Sequence, residues 1–208
     1  MKSILTIFLC ITALCANGQS FAERSSAGIK ADVNTSFFII NENTNVKSSV
    51  KAGGSTGFFY KCALWEIAVI EADILFSYHA TGIKNLTTGE TANYNFFVID
   101  LPLYFMRQAE IENRLLYFGI GPFVSFGIFG NYKSDTRSVN PYKKHLTNGR
   151  ASINRWDWGV GFIIGYELEC KLQFNINHQF GFRNLFDESF EKIDMVSHLF
   201  SFGVGYRF

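Results

Sequence analysis

Asp73 and His79 come nearest, by residue type and place, to an acid–base pair in this chain. Both fall on one face of an alternating segment, but six positions separate them. That is roughly 20 Å along an extended strand, too far for a direct hydrogen bond. His145 could approach only if the polar stretch around it folded back. His178 and His198 fall in step with aromatic and aliphatic neighbours, which marks them as interface residues rather than bases or ligands. No metal-ligand spacing, nucleophile elbow or phosphate-cradling loop is present, and Gly159 and Gly161 lie inside a strand pattern and open no helix. The expectation is a non-enzyme, with no catalytic, cofactor-binding or metal-binding residue assigned and no cofactor.

Two further sets of charges stand out. Lys30, Asp32, Lys51, Lys61, Glu71, Asp73, Asp100, Asp157, Glu167, Lys171, Arg183 and Arg207 fall on the face opposite the large apolar residues. Charges on a buried face must be paired and hydrogen-bonded. They form either an ion-pair network that plugs an interior or the lining of a conduit for protons, ions or small solutes. The second set lies in the stretch 130–154, where Lys133, Arg137, Lys143, Lys144, His145 and Arg150 face a single acid, Asp135. A loop of that length is uncommon unless it is functional or disordered. Its charge suits the phosphates of lipopolysaccharide or an acidic partner.

The elements that must position these groups are strands. In KLQFNINHQFGF, Lys171 to Phe182, the residues Leu172, Phe174, Ile176, Phe180 and Phe182 alternate with Lys171, Gln173, Asn175, Asn177, Gln179 and Gly181. A period of two means an extended strand between two different environments. Eight such segments can be drawn, roughly 27–40, 50–61, 66–79, 95–106, 115–129, 155–168, 171–183 and 196–208. The connections 41–49, 80–94, 130–154 and 184–195 are long, whereas 62–65, 107–114 and 169–170 are short. An even strand count, with short turns at one end and long loops at the other, is the pattern of a bacterial outer-membrane barrel. Strands of about 12 residues tilted near 40° rise roughly 30 Å, enough to cross the apolar band.

The two faces differ in kind. Trp156, Trp158, Val160, Phe162, Ile164, Tyr166 and Leu168 oppose Asp157, Gly159, Gly161, Ile163, Gly165 and Glu167. A polar face in water would carry long side chains, whereas this one is small, as the cramped interior of an eight-stranded barrel requires. The large aromatics then belong outside against lipid, with Trp156, Trp158, Tyr166 and Tyr206 placed for interface girdles. A soluble barrel with an apolar interior shows the same alternation turned inside out and remains the alternative.

Composition is consistent with this. A length of 208 residues suits one domain, and a formal charge of +1 gives no pull toward nucleic acid. Lys2, the apolar run Ile4 to Ala16 and Ala16-Asn17-Gly18 read as a signal peptide over 1–18, leaving 19–208 as the barrel domain. Its removal takes Lys2 and leaves bases and acids equal at 18 each. Beyond it no apolar run reaches the ~18 residues of a spanning helix. Cys62 and Cys170 are expected in separate turns, beyond the ~7 Å Cα limit for a disulfide.

Six segments carry a family resemblance: ILFSYHATG (74–82), VIDLPLYF (98–105), LLYFGIGPFVSF (115–126), WDWGVGFIIGYEL (156–168), FGFRNLF (180–186) and SFGVGYRF (201–208). With Asp100-Leu101-Pro102, Gly119 and Gly121 before Pro122, Asp157 with Gly159 and Gly161, and the turn Gly181 to Leu185, the chain resembles the PorT-like outer-membrane β-barrel family common in Bacteroidota over about 27–208. The resemblance implies the outer membrane, and its founding type belongs to a secretion and gliding apparatus. The terminal Phe208, with Tyr206, Val204, Phe202 and Phe200 at alternate positions, resembles the signal read by barrel-assembly machinery.

The expected molecule is an all-β, eight-stranded antiparallel up-and-down transmembrane barrel with short periplasmic turns and long extracellular loops. Its expected role is a non-enzymatic scaffold or binding protein with a filled lumen, its outer loops, chiefly 130–154, engaging a partner. A small-solute channel and a component of a secretion or gliding apparatus stay open. The expected partners are outer-membrane lipid, lipopolysaccharide, barrel-assembly machinery and a surface or secretion-apparatus protein, with no nucleic acid.

Overall fold

The computed structural model describes residues 25–41, 46–65, 67–86, 89, 91–134, 138–143, 153–185 and 194–208. The alternating segments become β1 (Ser25–Asn41), β2 (Val46–Trp65), β3 (Ala68–Asn85), β4 (Thr91–Ile111), β5 (Arg114–Ser134), the two-residue β6 (Ser138–Val139), β7 (Trp156–Glu167), β8 (Leu172–Gly181) and β9 (Asp194–Arg207). Apart from β6, which pairs on the loop side of β5, each strand is antiparallel to its neighbours and β9 returns to β1. The result is a closed eight-stranded up-and-down barrel, which leaves no sheet edge unpaired. The expected signal segment 1–18 lies outside the described residues.

Three short connections share one end with Ser25 and Arg207. Trp65 pairs with Ala68 across 66–67, and Ile111 pairs with Arg114 across Glu112-Asn113. The latter two residues take φ values of 51° and 62°, the left-handed pair of a two-residue hairpin whose twist matches its strands. Lys171, expected to face the interior, is instead exposed in the β7–β8 turn with φ 66°. A left-handed residue there turns the chain, so its side chain leaves the alternation.

Strand ends depart most from expectation. β2 to β5 run for 18 to 21 residues, and 80–94 is mostly strand, with Ile83 opposite Ala92 and Lys84 opposite Thr91. Beyond the apolar band no alternation of hydrophobicity is needed, so polar residues continue the ladder through backbone bonds alone. The expected turn 62–65 is also strand. Cys62 is buried between Ser25 and Ile70, and Cys170 is exposed.

Outward-facing apolar residues form a belt that includes Phe58, Phe76, Phe105, Phe118, Ile164 and Phe202, with Trp158 and Tyr206 toward its two ends. An exposed apolar surface of this extent needs a lipid solvent. The expectation that large aromatics all lie outside is corrected, because Phe59, Tyr104, Tyr117 and Phe123 fill the interior. Glycines on the facing walls make this possible. A Cβ on Gly165 would lie 2.3 Å from the Tyr117 ring, one on Gly159 2.8 Å from Phe123, and one on Gly28 2.2 Å from Phe59. Each glycine is a notch that accepts a ring.

Candidate functional site

The lumen near the short turns is filled by charge. From β1, Lys30 reaches Glu71 Oε1 and Asp73 Oδ2 on β3, each at 2.7 Å. Lys61 on β2 lies 3.2 Å from Glu71 Oε2 and 3.9 Å from Glu167 Oε2. Arg207, beside β1 on β9, completes the network, its Nε donating to Glu167 Oε1 at 2.7 Å and its Nη2 lying 2.5 Å from the same oxygen. Gln173 joins the chain by donating to Glu167 Oε2 at 2.7 Å and accepting from Lys61 at 3.2 Å. Three cations thus meet three carboxylates across the bore. The rings of Phe59 and Tyr117 lie 5.2 Å and 4.4 Å from Lys61 Nζ and add cation–π attraction.

Above this network the polar groups change character. His79 and Asp73 do not meet. His79 Nε2 lies 3.1 Å from Asp100 Oδ2 on the neighbouring strand, and Ser125 donates its hydroxyl to Asp100 Oδ1. On the opposite wall Asp157 accepts from the Ser197 hydroxyl and, at 2.8 Å, from the Trp158 backbone N–H. A pocket of about 70 Å³ separates these groups from an apolar roof. The roof is a cluster of Phe38, Tyr94, Phe96, Val98, Tyr142, Ile153, Leu185 and Met195. Tyr142 and Ile153 come from the long 130–154 segment, and both pack into the barrel mouth. Arg155 fastens this roof, donating to the carbonyls of Gly127 at 3.0 Å and Ile128 at 2.9 Å while its guanidinium lies 5.0 Å from the Tyr142 ring. Burial raises the Tyr142 phenol above its ordinary value although Arg155 opposes this, so the ring stays neutral.

Of the other expected inward charges, Asp32 is buried and accepts from Ser55 at 3.0 Å. Lys51 lies beyond the network and donates to Asn93 at 2.5 Å, and Arg183 is half-buried just past β8. His178 and His198 lie on the outer face with ring nitrogens 3.3 Å apart, His198 stacked on Phe37. Of the expected basic loop, Lys133 and Lys143 are exposed, and Arg137, Lys144, His145, Arg150 and Asp135 lie outside the described residues. Lys47 and Lys84, unremarked in the sequence, are exposed and face each other across the β2–β3 pairing near the same rim. Glu110, Glu112 and Glu169, by contrast, are exposed at the short-turn end. Ser125, Ser197 and Arg155 were also missed. Ser125 and Ser197 share the small-polar face, but only the register between strands shows which acid each meets.

A family model described as an outer membrane protein beta-barrel domain matches residues 17–187. No curated protein matches the chain. Among solved structures, the chain is similar to the outer membrane protein OprG from Pseudomonas aeruginosa, with 11% identity and a TM-score of 0.49 over 89% of this chain and 97% of that one. It is similar to Ail, the attachment invasion locus protein of Yersinia pestis, with 11% identity and a TM-score of 0.45 over 89% and 99%. For the outer membrane enzyme PagL the identity is 7% and the TM-score 0.42, over 84% and 98%.

Proposed function

Because the chain belongs to the outer membrane protein beta-barrel domain family, we propose that it is a non-enzymatic membrane scaffold with a closed lumen, presenting its outer rim to a surface partner. The observation that carries this is the ion network from Lys30 through Glu71, Lys61 and Glu167 to Arg207, which crosses the bore where Lys61 on β2 meets Glu167 on β7. Charges paired with one another across the bore fill it with side chains and leave little polar surface for a water column, so the network favours a plug over a conduit. The decisive experiment is planar-bilayer recording on the refolded chain. The expected record is flat, and discrete conductance steps in the wild type would replace the scaffold reading with the small-solute channel.

Chemistry at His79 is disfavoured by where the protons go. Ser125 donates its hydroxyl to Asp100 rather than to His79, so His79 is not placed to activate it. Lys47, Lys84, Lys133 and Lys143 make the described outer rim basic, which supports contact with the phosphates of lipopolysaccharide. Reversing Lys47 and Lys84 to Glu together should weaken retention on phosphorylated lipid A, with dephosphorylated lipid A unaffected. Residues 1–18 supply the export signal on this reading. The PorT-like resemblance supports a place beside a secretion or gliding apparatus. Crosslinking in cells, followed by identification of neighbours, tests that membership separately from conductance.

A further inference from the structure

We infer that the pocket between the ion network and the roof binds a small primary ammonium ion bearing an apolar tail. This goes beyond the scaffold reading, which would hold if the pocket contained only water. The pocket measures about 70 Å³, several times the ~10–15 Å³ that one water requires. Asp157, Ser197 and Gln179 line one part of it, and Phe38, Phe96 and Phe123 another.

Asp157 is the reason for a cation. Its side chain is buried, and the two groups that hydrogen-bond to it, the Ser197 hydroxyl and the Trp158 N–H, are both neutral. Glu71, Asp73 and Glu167 each meet a Lys or Arg, and Asp100 meets His79. Among the described residues no cation lies within ion-pair distance of Asp157. Arg155, the cation of the roof, is committed to two backbone carbonyls and to the Tyr142 ring. A buried carboxylate without a counter-charge is costly, and a bound cation removes that cost.

The lining chooses among cations. A metal ion of the hard class seeks six or more oxygens, whereas Phe38, Phe96, Phe123, Val98 and Ile153 give this wall carbon, and Arg155 and His79 also line it. An alkylammonium matches both halves. Its three N–H donors meet Asp157 and the lone pairs of Ser197 and Gln179, and its apolar carbon chain lies against the rings of Phe38, Phe96 and Phe123. An anion is repelled by Asp157 and finds Arg155 and His79 already engaged, and a neutral alcohol of the same shape leaves the charge unmet.

The test is calorimetric titration of the refolded full chain in detergent with n-butylammonium chloride, against n-butanol and sodium chloride at matched concentration. Saturable binding of butylammonium is expected, at least 10-fold tighter than butanol. Asp157→Asn should weaken it at least 10-fold while keeping the gel mobility of a folded barrel. No saturable signal, equal binding of the alcohol, or unchanged affinity in a folded D157N chain would each overturn the assignment. Should D157N fail to fold, the comparison of butylammonium with butanol on the wild type still decides.

Discussion

Lys30 holds two carboxylates at 2.7 Å each, with its own side chain buried. Lys30→Met leaves Glu71 and Asp73 facing each other with Lys61 as their nearest remaining cation. Breaking one partner out of a buried pair costs about 3–5 kcal/mol, so urea titration of folding into vesicles should show a loss of that order. Gly165 tests the opposite failure, too much volume. A methyl there meets the Tyr117 ring at 2.3 Å, and Gly165→Ala should cost about 1–3 kcal/mol, relieved in part by Tyr117→Leu in the same chain. At this scale much was legible beforehand. Lys30, Lys61, Glu71, Asp73, Glu167 and Arg207 were all placed inside from parity alone, because one face of a strand keeps one environment. Their partners were not legible, since pairing depends on register, and the sequence alone does not supply it. His79 illustrates the gap: its partner is Asp100 across the strand rather than Asp73 along it.

Strands carry the lipid contact, and β8 states it most simply. Ile176 faces outward between Ile164 and Phe202, whereas Asn175 is buried between Gly165 and Gly203. Ile176→Arg should therefore cost about 2–4 kcal/mol if the residue lies near the midplane. Asn175→Arg meets crowding instead, and its cost should be insensitive to bilayer thickness whereas that of Ile176→Arg should change with it. Folding titrations in lipids of two chain lengths distinguish the two responses. The Glu112-Asn113 hairpin gives a gain rather than a loss. Both residues are left-handed, so Asn-Gly in their place should stabilise the β4–β5 hairpin by about 1 kcal/mol, read by the same titration. Element existence was legible here and element length was not. Alternation reports where lipid lies, and β3 to β5 outlast the lipid by continuing as polar ladders. Tyr142 and Ile153 gave no signal at all, because a loop residue that docks into a mouth obeys no period.

For the whole molecule, ring closure predicts behaviour in bulk. A barrel without an edge resists detergent until heated, so the unboiled protein should migrate differently from the boiled protein on a gel and partition with outer membranes. Lys30→Met should lower the temperature at which the two bands merge. The wall of this barrel is also uneven in height. β4 and β5 have 21 residues each, whereas β7 has 12 and β8 has 10. At about 3.3 Å per residue and 40° of tilt, the difference between 21 and 10 residues is roughly 25–30 Å of rise, about the thickness of the apolar band itself. The molecule therefore has a front and a back within the plane of the membrane. Among the described residues, a neighbour drifting in from the β4–β5 side meets strands that run on past the lipid, and one arriving from β8 meets a strand that ends with it, so rotation about the membrane normal decides what it touches first.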